Sequence, residues 1–378
     1  MTRALLQQAF LFASILIAVV SPTLVLPAGG GVAWAVSGEL SQPRAYASAI
    51  ILPTGEIFVF GGLDEHDPQV VSTTTELIEP LTGTTRTLAQ RLPGRLHHTV
   101  TVGWADRVVV AGGVEWFGQS FHSSDRVDVY LPYQRQWIHA HPLIQARSDH
   151  GAARLPTGEV LVTGGNFNAR PLASTEIYDP RVDAWREAAP HPAPRVRFSI
   201  AALPDGRVLV AGGLSQIGEP LGSSLIYEPD HDRWIAGPNL AVARVQHATV
   251  ALASGDVLFI GGQFAASNTA ERYDVTRNLF TFAGTLVQPR LVQQAVLLPG
   301  GRVLITGGSL EVPGRTDWVP VADAEIWDPA TNLWSGFASP TLSRALGDLV
   351  ATPTGIYLVG GVGDGLAARQ TIERLVTR

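Results

Sequence analysis

Apolar residues in this chain come in short runs, each introduced by a polar turn and stopped by a pair of glycines. The stretch LPDGRVLVAGG, residues 203 to 213, holds all three parts. Runs this short, rich in β-branched residues and bounded by Gly, Pro and Asp, predict strands. After residue 35 no long segment carries the 3.6-residue period of an amphipathic helix. The glycine pair recurs at 61/62, 112/113, 164/165, 212/213, 261/262, 307/308 and 360/361, at intervals of 51, 52, 48, 49, 46 and 53 residues. Seven units of about fifty residues, each with several short strands, read as propeller blades. A continuous repeat without a linker argues for one closed unit, although 378 residues could hold two or three domains.

Unit four shows the expected blade. Strand a is FSIAAL (198 to 203), strand b RVLVAG (207 to 212), strand c SLIYE (224 to 228), and strand d surrounds Trp234. Between a and b, LPDG has proline at the second turn position and glycine at the fourth, which suits a type I turn passing into a strand through a left-handed glycine. The turn recurs as LPTG at 52 and 155, LASG at 252, LPGG at 298 and TPTG at 352; VGWAD (102 to 106) replaces it in unit two and is expected to change that turn only. The double glycine ends strand b where backbone must pass closely or φ must turn positive.

Aromatic pairs seven residues apart complete the unit: Tyr130 with Trp137, Tyr178 with Trp185, Tyr227 with Trp234, Tyr273 with Phe280, and Trp327 with Trp334. Rings enclosed between stacked sheets contribute on the order of 2 to 3 kcal/mol each, so these residues are assigned to the core and not to a sugar-stacking platform. Double glycine, Tyr and Trp in this order, repeated over residues 32 to 378, resemble the Kelch family of β-propellers. Unit one departs from the pattern with Ile78 and Thr85 at the aromatic positions, and unit seven has no Trp after its third strand.

That second departure bears on closure. Each Trp or its substitute stands ten residues before an arginine, and Trp34 stands ten before Arg44; the chain ends just after TIERLVT, which matches a strand c. GVAWAV (31 to 36) is therefore expected to supply the outer strand of the seventh blade and close the ring non-covalently, removing two exposed edges. The expected fold is all-β: a seven-bladed Kelch propeller of four-stranded antiparallel blades over 31–378. Residues 1–30 carry Arg3, the apolar run AFLFASILIAVV and then SPTLVLPAGGG, a pattern read as a signal peptide or N-terminal anchor. Secretion, a periplasmic location or cell-surface display is the corresponding expectation.

In antiparallel blades the b–c and d–a connections leave by one face and the a–b turns by the other. The a–b turns are uniform, whereas the b–c loops vary in length and carry the aromatics, so binding is expected on their face. Candidate contacts are Trp116, Phe117 and His122 in VEWFGQSFHSSDR and Trp318 in SLEVPGRTDWVPVADA, with an acidic cluster at Asp64, Glu65, His66 and Asp67. Each d–a connection ends in an arginine: Arg44, Arg95, Arg147, Arg195, Arg244, Arg290 and Arg344. Two readings compete. Seven guanidiniums could form a positive collar at the channel mouth that captures carboxylates or phosphates, or they could bind carbonyls and carboxylates of adjacent blades, such as Asp149 or Asp348, and stitch the ring.

Composition removes several function classes. A net charge of −6 gives no basic field for nucleic acid, and all 27 basic residues are arginine. There is no cysteine, hence no disulfide, thiolate nucleophile or thiolate metal site. The copper-radical oxidase site that the resemblance brings into view needs a tyrosine cross-linked to cysteine, so it is excluded. His98, His150 and His247 recur three residues after the ring arginine; they belong to units two, three and five and read as repeat consensus more readily than as zinc or copper ligands. No cofactor and no metal is expected. The leading reading is an exported, monomeric binding module for a protein or an anionic carbohydrate, non-enzymatic. The alternative is a sugar-active enzyme of epimerase or mutarotase type, acting on an anionic sugar in the channel, with Arg95, Arg195 and Arg290 holding a carboxylate and His150 or His247 moving protons.

Overall fold

A computed structural model describes residues 31–63, 71–117, 120–263, 268–310, 319–363 and 367–377. The leader assigned to residues 1–30, the acidic cluster at 64–67 and Trp318 lie outside them. No helix among the described residues is long and apolar enough to cross a membrane.

Seven four-stranded antiparallel sheets follow one another along the chain. Blade 4 has strands a Ser199–Ala202, b Val208–Ala211, c Ser224–Glu228 and d Arg233–Ala236, in the order a-b-c-d from the inside out. Every b strand is buried throughout, with alternation surviving only toward the outer strands, because propeller sheets are covered on both faces by their neighbours. The a strands of blades 1 to 7 begin at Ala45, Thr99, Gly151, Ser199, Ala248, Gln294 and Asp348. Each packs against the next, and the strand of blade 7 packs against that of blade 1.

Most a–b turns keep a left-handed glycine, for instance Gly206 at φ 88°. In blade 2 the replacement builds a 3₁₀ turn at Trp104–Asp106 and leaves the flanking strands intact. The aromatic pairs face one another across strands c and d, with ring centroids 5.3 Å apart for Tyr130 and Trp137 and 5.1 Å for Tyr227 and Trp234. Three strand-d indoles also reach back to a carbonyl of the preceding blade: Trp185 Nε1 donates to His141 O, Trp234 to Ala189 O and Trp334 to Ala283 O, at 2.9 Å in each case.

Val32–Glu39 lies antiparallel to strand c of blade 7, Thr371–Thr377, with Trp34 opposite Leu375. Trp34 Nε1 donates to Ala338 O at 2.8 Å, the bond its counterparts make in other blades. Deleting residues 31–37 would strip this outer strand and leave Leu375 and Ile372 uncovered. The expected outcome is a melting temperature lowered by several degrees, or no folding, by circular dichroism; an unchanged melt would show that the strand is dispensable.

Candidate functional site

Leu96, Ser148, Val196, Leu291 and Ala345, each one residue after a ring arginine, bridge to Val114, Asn166, Leu214, Ser309 and Val362 just after the double glycine of the same blade. The d–a and b–c connections thus share one face. Three of the b–c loops extend from it as two-stranded hairpins, the longest being Val114–Phe117 with Ser120–Ser123.

The ring arginines do not display their heads on that face. All are 0 to 5 % exposed. Nη1 of each donates to the carbonyl of the first glycine of its own blade, from Arg44 to Gly61 O at 3.0 Å through Arg195 to Gly212 O at 2.8 Å to Arg344 to Gly360 O at 2.9 Å. Six also bind a carboxylate from strand c of the same blade: Arg44 to Glu76, Arg95 to Asp128, Arg147 to Glu176, Arg244 to Glu271, Arg290 to Glu325, and Arg344 to Glu373. The collar expected at the channel mouth is therefore absent from these coordinated heads, and the side chains do not reach carboxylates of adjacent blades either. Asp348 instead accepts from Ala49 N–H of blade 1 at 2.5 Å. Burial lowers every ring arginine's pKa, with Arg95 and Arg195 brought down to about 10, and the carboxylate opposes the fall everywhere except at Arg195. All seven remain cationic at neutral pH.

Two residues after each arginine stands a different side chain: Tyr46, His97, Asp149, Arg197, Gln246, Val292 and Leu346. All seven are left-handed, with φ between 50° and 58°, and none is glycine. The shared backbone shape is architectural, since Tyr46, Asp149 and Val292 N–H donate to the carbonyls of Leu346, His97 and Gln246 in the preceding blades. The side chains are what differ. Tyr46 meets His97 ring to ring at 5.6 Å, and His97 Nδ1 lies 3.7 Å from Asp149 Oδ1. Tyr46, Val292 and Leu346 join an apolar cluster with Trp116 and Phe121, while His97, Asp149, Arg197 and Gln246 make the remaining arc polar. Most of the ring is enclosed: Tyr46, Gln246, Val292 and Leu346 are 1 to 7 % exposed and the His97 and Asp149 side chains 6 %, so Arg197 is the member partly open to solvent. Burial pushes the Asp149 carboxyl from 3.8 up to about 7, against the pull of Arg197 and of Asn166, whose amide donates to it at 3.1 Å. The arginines are constant from blade to blade, whereas the position two residues on is where the repeat stops repeating, a signal visible in the sequence.

The other candidates divide. Phe117 is 78 % exposed at the hairpin tip, His122 is exposed with Nε2 2.9 Å from Ser120 Oγ, and Trp116 is half-buried edge-on to Phe121 at 4.8 Å. His98, His150 and His247 are wedged between blades: His150 Nε2 lies 2.9 Å from Thr99 Oγ1, and the rings of His98 and His247 pack on Phe60 and Phe259. A cavity of about 570 Å³ opens on the opposite face, with Arg207 paired to Asp205 and Arg186 facing Glu159, so its charges are already answered.

The Kelch motif family matches residues 146–192. A Kelch motif thus lies within this seven-bladed β-propeller. No curated protein sequence matches it. Among solved structures, a fungal alcohol oxidase with catalytic diversity in the AA5 family, in complex with copper, superposes with a TM-score of 0.72 at 16 % identity, covering 92 % of this chain and 76 % of its own. YjhT superposes with a TM-score of 0.56 at 13 % identity, covering 90 % and 96 %. These identities establish a shared fold alone. The Kelch propeller described here does not fit the oxidase's metal. It has no cysteine, and among the described residues no three His, Cys, Asp or Glu side chains converge on a common point.

Two predictions arise from the buried charges. Glu271→Ala leaves Arg244 without its carboxylate and strands the N–H groups of Ala241 and Val242, which now donate to Glu271. A loss of about 3 to 5 kcal/mol in urea unfolding is expected for such a buried pair broken on one side. His98, His191 and His247 are pushed down to about 3, and His97 and His150 well below 6.5, by burial first. The unfolded chain takes up these protons below about pH 6.5 and the fold does not, so their stability is complete above that pH and falls as the pH drops. Asp149 and Asp348, both raised from 3.8 to about 7, act in the opposite sense between those values. His247→Gln, which copies Gln293 at the same position of blade 6, should lose less melting temperature between pH 7 and 5 than the wild type; an equal loss would remove His247 from the account.

Proposed function

We propose that this Kelch propeller is a binding module that engages a protein or an anionic carbohydrate through the face of its d–a and b–c connections. One observation carries the reading: a ring of seven left-handed residues, identical in backbone and all different in side chain, at the centre of that face. Non-glycine residues in this conformation cost roughly 1 kcal/mol or more apiece, and the repeat accepts that cost seven times without constraining the side chain. The freedom is used to make one arc apolar and the other polar, with an exposed phenylalanine on the adjoining hairpin. Arg197 suits an anionic group, and Trp116 and Phe117 suit a sugar ring or an apolar side chain. The outward path read from residues 1–30 belongs to the same proposal.

A second reading rests on Asp149. A carboxyl titrating at about 7 beside an imidazole and a guanidinium is poised for proton transfer, which supports an epimerase or mutarotase acting on an anionic sugar. Asp149 then takes the role first given to His150 and His247, which are enclosed between blades.

An array of uronate- and sialate-bearing saccharides and acidic peptides separates the readings. For the binding module, Phe117→Ser and Arg197→Gln each weaken capture of the same ligand while the melting temperature holds. Equal capture by both variants would dismiss this face. Turnover of an arrayed sugar that disappears in Asp149→Asn would replace the first reading with the second.

A further inference from the structure

Blade 4 breaks the rule that pairs each ring arginine with a carboxylate. Glu76, Asp128, Glu176, Glu271, Glu325 and Glu373 stand opposite Val59, Val110, Val162, Phe259, Ile305 and Leu358 on strand b; at the equivalent register of blade 4, opposite Val210, stands Leu225. Arg195 keeps its other bonds, with Nη1 at 2.8 Å from Gly212 O and 2.7 Å from Ser223 O, and Nη2 at 2.7 Å from Ser223 Oγ. Its buried Nε finds no acceptor among the described residues; the Nε of Arg95, Arg290 and Arg344 has none either, but there Nη2 meets a carboxylate, and in blade 4 it meets none. In blades 1 and 5 Nε and Nη2 together grip one carboxylate oxygen, so the unanswered edge of Arg195 is the edge a carboxylate takes elsewhere.

The structure leaves room for one. A pocket of about 380 Å³ lies between the d–a connection, Pro192 to Arg195, and the b–c loop, and includes Ser223 and Leu225 in its wall. Ala193 occupies the position from which Gln145, Val242 and Gln288 donate backbone N–H to their blade's glutamate. Leu221, Leu225 and Ile217 make the rest of the wall largely apolar, and Ile217 is 78 % exposed at the rim.

We propose that this pocket binds a small organic acid, whose carboxylate answers Arg195 where the other blades use their own, and whose apolar tail lies along Leu221, Leu225 and Ile217. A buried guanidinium pairs most strongly with an anion that can accept from two of its N–H groups at once, and a small, mostly apolar cavity with one fixed charge selects an amphipathic acid over a hydrated inorganic ion. The inference is independent of the axial ring: the site lies on the same face but uses none of its seven side chains. Glu219 also borders the pocket and is the chain's own rival for Arg195.

Calorimetric titration of the full chain with acetate, butyrate and hexanoate at constant ionic strength, with chloride as control, tests it. One saturable site is expected, with hexanoate bound about tenfold or more tightly than acetate through its buried methylenes. Leu225→Glu restores the repeat's carboxylate and should abolish binding while raising the melting temperature. Ile217→Glu, at an exposed rim position, should weaken hexanoate binding while the melting temperature holds. The proposal is overturned if no acid gives saturable heat, if Leu225→Glu binds as the wild type does, if Ile217→Glu leaves affinity unchanged, or if binding emerges only in Glu219→Gln, which would make Glu219 the internal counter-ion.

Discussion

A single junction, repeated around the axis, holds the ring together. The arginine that ends each d–a connection sends its head to the carbonyl of its own blade's first glycine. Its own carbonyl accepts the N–H of the second glycine in the blade before, as Gly113 gives to Arg147, Gly213 to Arg244 and Gly361 to Arg44. That carbonyl lies only 2.5 Å from where a Cβ on Gly61, Gly112, Gly261 or Gly307 would sit. Two motifs that look unrelated in the sequence are therefore two sides of one contact, within a blade through the guanidinium and between blades through the backbone.

Burying seven guanidiniums is costly, and the protein meets the cost locally. Six blades supply a carboxylate, and in five of them it also gathers N–H groups of the d–a connection, whereas Asp128 of blade 2 takes the Arg126 side chain instead. Because the solution is complete within the blade, the neighbouring position two residues on is free to vary. The same logic isolates blade 4, where a leucine replaces the carboxylate and the charge is left facing a pocket. Conformity marks what the fold requires; the departures are where chemistry specific to this protein can be lodged.

The solved relatives share the scaffold at sequence identities too low to carry function with it. What the scaffold offers is a rigid face. The inner strands and buried b strands fix the axial ring, while Trp116 and Phe117 ride on a hairpin that extends beyond it.

Blade number, strand order, the a–b turns and the aromatic pairs of the core were all legible in the sequence, because each is set by local periodicity and by residues a fixed distance apart. Direction was not. A consensus arginine at the inner end of a connection is compatible with a head in solvent or a head buried against its own blade. The choice falls to Glu76, Glu271 and their equivalents, about thirty residues away and brought into line only by the pairing of strands b and c. The axial ring was hidden for the same reason: Tyr46 and His97 are fifty-one positions apart in the chain, and only the closing of the sheets around a common axis sets their rings 5.6 Å from one another. Local order came from the chain's own spacing, whereas the carboxylate partner of each ring arginine and every neighbour at the centre depended on contacts between segments that the sequence keeps far apart.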